Sequence, residues 1–187
     1  MSLTDDVKNA LTSVISGAGD IVSTTQDVAK ENVVKAIQGV GGVATSGMAV
    51  VSEVVAGGVQ ALSSAGTSMT AGIVGLVRGA VDGAKDAGVS TTDAAGEAAL
   101  TVVKTVNQVG GDVGETAVSA VQGAIDAAGD IGADSGELAK NAVMGSLKAA
   151  DEIGSEAGAI VRKALLSAAA LPHDVIDALL TGKTDPD

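Results

Sequence analysis

The sequence predicts an all-α fold: a tandem array of about eight single helices, consecutive ones antiparallel and joined by short glycine turns. Three observations carry that reading. Gly66, Gly88, Gly110, Gly132 and Gly154 recur at an interval of 22 residues. Two positions after each stands a residue suited to begin a helix: Ser68, Ser90, Asp112, Asp134 and Glu156. The aliphatic positions keep the same period, giving repeat units near 11–32, 33–54, 55–76, 77–98, 99–120, 121–142 and 143–164. Residues 165–187 then form an atypical C-terminal cap of one domain, 1–187.

Each element follows from this register. The first position of the units reads Leu11, Val33, Val55, Val77, Ala99, Val121, Val143 and Leu165. The fifth reads Ile15, Ile37, Val59, Val81, Val103, Ile125, Leu147 and Ala169. With small apolar residues at the fourth and eighth positions, these make one face of a helix. The stop is glycine, which adopts a left-handed conformation without a Cβ penalty and so lets the last carbonyls be satisfied. The start is the fourteenth position: Thr24, Ser46, Ser68, Ser90, Asp112, Asp134 and Glu156. Its oxygen is placed to accept from an amide of the first turn. Asp112 with Glu115, and Asp134 with Glu137, resemble capping boxes, and Ser2 with Asp5 repeats the pattern upstream. Each helix is then about 19 residues, roughly 28 Å at 1.5 Å per residue. Turns of two or three residues force neighbours to run antiparallel. Near-identical neighbours close into a ring or barrel, or wind into a superhelical array.

The 22-residue unit is also two elevens, and an 11-residue period describes long, slightly right-handed helices. In this periodicity and in its Gly-Val-Ala texture the chain resembles synucleins, apolipoproteins and late-embryogenesis proteins, a resemblance that implies one continuous helix. The Lys-Thr-Lys-Glu-Gly-Val core of the synucleins does not occur, and the glycine and cap columns fall in only one half of the unit. A mid-helix glycine costs about 1 kcal/mol relative to alanine. The broken array is therefore the expectation.

Composition bounds the function. The chain has 187 residues, 26 of them Gly, and no Cys, Phe, Tyr or Trp, so its core is built from short side chains and it has neither disulfides nor cysteine nucleophiles. A net charge of −12 opposes binding to nucleic acid or an anionic membrane. The charge is uneven: residues 1–80 carry six acids and four bases, 81–187 seventeen and seven. Between Gln38 and Val77 the sole charge is Glu53, a stretch buried by neighbours or exposed to something apolar. The uncharged run Val54–Val77 is long enough to cross a bilayer, but Gly66-Thr67-Ser68 at its centre predicts two half-helices instead. The acidic N-terminus lacks the apolar run of a signal peptide, so a cytoplasmic location is expected.

Interior glycines lie one turn apart on one face: Gly57, Gly79, Gly123 and Gly145 at the third position, Gly17, Gly39 and Gly83 at the seventh. They are expected to be groove floors on which a neighbouring helix packs. Arg78 and Asp82, inside Gly75-x-x-x-Gly79-x-x-x-Gly83, argue against a membrane dimer seam there. Pro172 ends the eighth helix near Ala170, and Pro172–Leu180 reads as a short amphipathic helix stopped at Gly182.

No set of residues converges on chemistry. His173, the single histidine, has no nucleophile signature beside it. Gly182-Lys183-Thr184 lacks the upstream glycine of a phosphate loop, and Gly39-Val40-Gly41-Gly42 follows a helical pattern rather than a strand. Asp126, Asp130 and Asp134 stand four apart, but Asp134 is a cap and hard cations need about six oxygens. Asp82, Asp86, Asp126, Asp130, Asp151 and Glu152 read as the wet outer side. No catalytic, metal or cofactor-binding residue is therefore assigned. The expectation is a non-enzymatic scaffold that self-associates through Gln38–Val77 or binds another protein. The alternative is a membrane-interface protein inserting the uncharged 50–81 hairpin.

Overall fold

The computed structural model describes residues 2–17, 19–39 and 44–168, with side chains from residue 47 onward in the third helix. The helices are α1 (Leu3–Ile15), α2 (Ile21–Gly39), α3 (Ala44–Ala65), α4 (Met69–Asp86), α5 (Thr91–Gln108), α6 (Val113–Ile131), α7 (Ser135–Ile153) and α8 (Ser155–Ser167). There is no strand among the described residues. The protein is all-α, with eight helices packed on one another.

The turns follow the glycine register. Positive φ occurs at Gly66 (65°), Gly88 (76°), Gly110 (80°), Gly132 (70°) and Gly154 (155°), and at no other described residue. At three of them the next residue folds back: Val89 N–H donates to Ala84 O at 2.8 Å, Gly111 to Val106 O at 2.9 Å, and Ala133 to Ala128 O at 2.9 Å. This bond to a carbonyl five residues earlier is the Schellman closure. It explains why one spacer stands between glycine and cap. The caps themselves are Ser68, Ser90, Asp112 and Asp134, each accepting from the amide three residues on. A complete two-way box forms at Ser2 and Asp5. The run Val54–Val77 is broken at Gly66, as its turn signal implied.

Three expected starts are corrected. Thr24 is inside α2, its hydroxyl donating to Asp20 O at 2.7 Å, because Asp20 is the oxygen that takes the Ser23 amide (3.2 Å) one turn earlier. Ser46 lies within the first turn of α3. Glu156 lies in the first turn of α8, whose cap is Gly154 itself, with no side-chain bond. There the extended backbone of Gly154 (φ 155°, ψ 167°) starts the next helix without a spacer. The eighth helix stops at Ser167, three residues before the expected end. Pro172–Leu180, His173 and the Gly182-Lys183-Thr184 echo lie outside the described residues, as does most of Gly39–Gly42.

Each helix packs on the one before it and on the one two before it. A Cβ on Gly58 would overlap Leu76 and one on Gly72 would overlap Leu62, so α3 and α4 run antiparallel, each glycine receiving the partner's leucine. Gly75, Gly79 and Gly83 face Val22, Gln26 and Lys30 in the same order, so α2 and α4 run parallel. Odd-numbered helices thus form one row and even-numbered helices another. Among the described residues α1 and α2 make no contact with α7 or α8.

The groove floors expected at Gly57, Gly79, Gly83, Gly123 and Gly145 are present, against the helix two before. A Cβ at these sites would meet the backbone carbonyl of Thr4, Gln26, Lys30, Val74 and Gly96 respectively. Gly17 and Gly39 are corrections: nothing lies within 4 Å of a Cβ at either, because both sit at helix ends. Gly57 and Gly79 meet the sixteenth position of the neighbouring unit, whereas Gly123 and Gly145 meet the twentieth. The seating therefore shifts by one helical turn between the two halves. α5 carries Thr101 where the glycine would be, and its hydroxyl lies 3.1 Å from that of Ser52 on α3.

The first-position residues, Leu11 through Leu165, are all buried to within 2% exposure, one per helix. The uncharged stretch is likewise turned inward, with Val51, Val54, Val55, Val59, Leu62, Ile73, Leu76 and Val77 at 0%. Fully burying one such aliphatic chain stabilises by about 1.5–3 kcal/mol.

Two glycines separate packing from propensity. Gly79→Ala forces a methyl into the Gln26 carbonyl and should destabilise by about 2–3 kcal/mol in urea unfolding. Gly129→Ala, on α6 with nothing within 4 Å, should stabilise by roughly 0.5–1 kcal/mol.

Candidate functional site

Two places on the even-numbered row concentrate polar groups. The first is a junction of α2, α4 and α6. Four-residue spacing aligns Gln26 and Lys30 on α2, Arg78, Asp82 and Asp86 on α4, and Asp126 and Asp130 on α6. Because these helices are parallel, their side chains meet across two interfaces. Arg78 donates to both oxygens of Asp130, at 2.5 and 2.7 Å. Lys30 pairs with Asp86 at 3.1 Å. The Gln26 amide donates to Asp82 Oδ2 at 2.7 Å and reaches Asp130 Oδ2 at 3.4 Å.

Asp82 departs from the expected wet outer side, being 5% exposed with no partner for its buried Oδ1. Desolvation pushes its carboxyl above the ordinary range; the Gln26 bond and the nearby Lys30 and Arg78 charges oppose this, while Asp130 adds to it. Asp130 goes the other way, held low chiefly by the hydrogen bond from Arg78. Arg78 is correspondingly raised by Asp130, and Lys30 by Asp86. Among the described residues no three acidic, histidine or cysteine side chains are placed to hold a metal ion. The junction is an electrostatic clasp without visible reactive geometry.

The second place is the edge where α4, α6 and α8 begin. An open groove of about 620 Å³ runs between the α5–α6 turn and the start of α8. A cleft of about 110 Å³ between the first turns of α4 and α6 joins it at Gly111 and Asp112. Their polar lining includes Asn107, Asp112, Glu115 and Glu156, and their apolar lining Met69, Ile73, Ile153 and Ile160. Asp112 is held by its capping bond from Glu115 N–H at 2.9 Å, and Glu115 accepts from Thr70 on α4 at 3.3 Å.

The sequence pointed to Asp126 and Asp130 but not to their contacts: Asp126 accepts from Gln122 on its own helix, and Asp130 accepts from Arg78 on α4 and Gln26 on α2. The matching signal was polar residues at four-residue spacing on the other even-numbered helices. The groove had no sequence signal, because it arises where two turns separated by a whole helical hairpin come side by side.

No protein-family model matches the chain, and a search of curated proteins finds no match either.

The junction makes a pH prediction with opposed signs. An acid raised on folding disfavours the folded state progressively as pH climbs from its unfolded value toward its folded one. An acid lowered on folding contributes stability that is lost as pH falls below its unfolded value. Asp82→Asn should therefore raise stability at pH 7 by about 1 kcal/mol, with no gain at pH 3. Arg78→Gln should destabilise at pH 7 and much less at pH 3. Thermal melts of each variant at both pH values check the two signs.

Proposed function

We propose that this protein is a non-enzymatic interaction scaffold built as an open superhelical array of 22-residue units. The observation that carries the reading is the packing order: from α3 onward every helix sits on the two before it, and among the described residues α1 and α2 make no contact with α7 or α8. That order favours an open array over a closed ring. It leaves a repetitive platform whose loop edge carries an open groove of about 620 Å³.

What speaks against self-association through Gln38–Val77 is that Val51, Val54, Val55, Val59, Leu62, Ile73, Leu76 and Val77 are directed inward. What favours self-association as a second reading is the α7–α8 end, where Met144 (37%), Ile160 (45%) and Leu166 (40%) are exposed. The membrane reading rests on Gly47–Ala65, long and apolar enough to cross a bilayer at mean hydropathy 1.3, yet half buried within the helical packing.

Small-angle scattering should give the elongated profile of an open array; a compact ring profile would overturn that architecture. Light scattering over a wide concentration range decides between scaffold readings. A strict monomer removes self-association, whereas a dimer disrupted by Leu166→Ser supports it. Flotation with neutral and with anionic vesicles should leave the protein unbound, and binding to either would favour the membrane reading.

A further inference from the structure

We propose that the loop-edge groove between the α5–α6 turn and the start of α8 docks a basic, amphipathic segment of a partner protein. The proposal rests on the scaffold reading and supplies its partner chemistry. Three features of the groove specify the occupant.

The first is charge. Asp112, Glu115 and Glu156 line the groove and its adjoining cleft, and among the described residues no lysine or arginine does. Three acids elsewhere stand opposite bases across helices: Asp86 with Lys30, Asp130 with Arg78, Glu152 with Lys104. The helix ends at this edge soften the field without reversing it. The N-termini of α4, α6 and α8 contribute about half a positive charge each, roughly +1.5 against three carboxylates. An anionic ligand is therefore disfavoured and a cationic one favoured.

The second is the apolar floor. Ile160 lines the groove at 45% exposure and Val109 stands on the adjacent turn at 39%. Ile153 lines the groove beside Ile160, so its floor is aliphatic where its rim is acidic. A small cation would neutralise the rim and leave this floor wet. A segment carrying both lysines and aliphatic side chains matches both features.

The third is rigidity. The groove walls are the turn Gly110–Asp112, fixed by the Schellman bond of Gly111 and the cap of Asp112, and the start of α8 at Gly154. A preformed wall spares the ordering cost of a flexible loop.

The test titrates full-length protein with a fluorescent peptide in which paired lysines flank leucines, beside a leucine-free lysine peptide of equal charge. The triple variant Asp112→Asn, Glu115→Gln, Glu156→Gln keeps a competent cap at residue 112. A control triple, Asp6→Asn, Asp27→Asn, Glu53→Gln, removes the same charge from exposed sites elsewhere. We expect binding of the leucine peptide, weakened about tenfold by the groove triple and little by the control. Ile160→Ser should weaken that peptide severalfold and leave the lysine peptide unchanged. Equal losses in both triples would reduce the effect to net charge and overturn the proposal. So would absence of binding, or equal affinity for the two peptides. A dimer abolished by the groove triple would assign the groove to a second copy instead. The scaffold reading is judged separately by the scattering experiments, so failure here does not decide it.

Discussion

The structure depends on one contact: the backbone of a helix pressed against the carbonyls of the helix two before it. Glycine makes the approach possible at residues 57, 79, 123 and 145, and any Cβ there would occupy the space of a carbonyl oxygen. Cα–H···O contacts recur in such geometries and each adds about 0.5–1 kcal/mol. The larger gain comes from keeping the parallel rows close enough for short side chains to fill the interior. Valine and alanine then suffice as core, and aromatic side chains are not needed to span the gaps. The short turns contribute to the same end, because a single spacer residue between glycine and cap fixes where α4, α5, α6 and α7 begin.

Most of the local structure was legible because its causes are local. A left-handed glycine and a cap lie within a few residues, closed by a Schellman bond at Gly88, Gly110 and Gly132, so the sequence pattern and the geometry coincide there and at Gly66. The departures occur where a competing local signal is stronger. Asp20 outcompetes Thr24 as a start, and Gly154 removes the spacer before α8. The layering was not legible, since a period of one helix states what repeats and not which copies touch. Asp82 was assigned to water for this reason. On its own helix it belongs to a polar stripe, and only the arrival of α2 and α6 encloses it.

The two polar places divide the array's charge into different uses. At the α2–α4–α6 junction, acids and bases are matched across helices, and burial makes the leftover Asp82 oxygen costly. At the loop edge, acids cap helices or stand free of bases, and their field points outward over an apolar floor. The first arrangement fastens helices to one another. The second is the arrangement we propose to dock a basic segment.

The one-turn shift in docking has a further consequence. The same glycine contact is made in two seatings within one molecule, at Gln26 in the first half and at Val74 in the second, so helices here are indexed like a ratchet with stops a turn apart. A row built this way can absorb the gain or loss of a whole turn in one helix by moving to the next stop. Insertions of fractional turns have no such stop and would put a side chain where the glycine must be. Change in length along this array is therefore quantised, permitted in steps of the helical pitch and resisted between them.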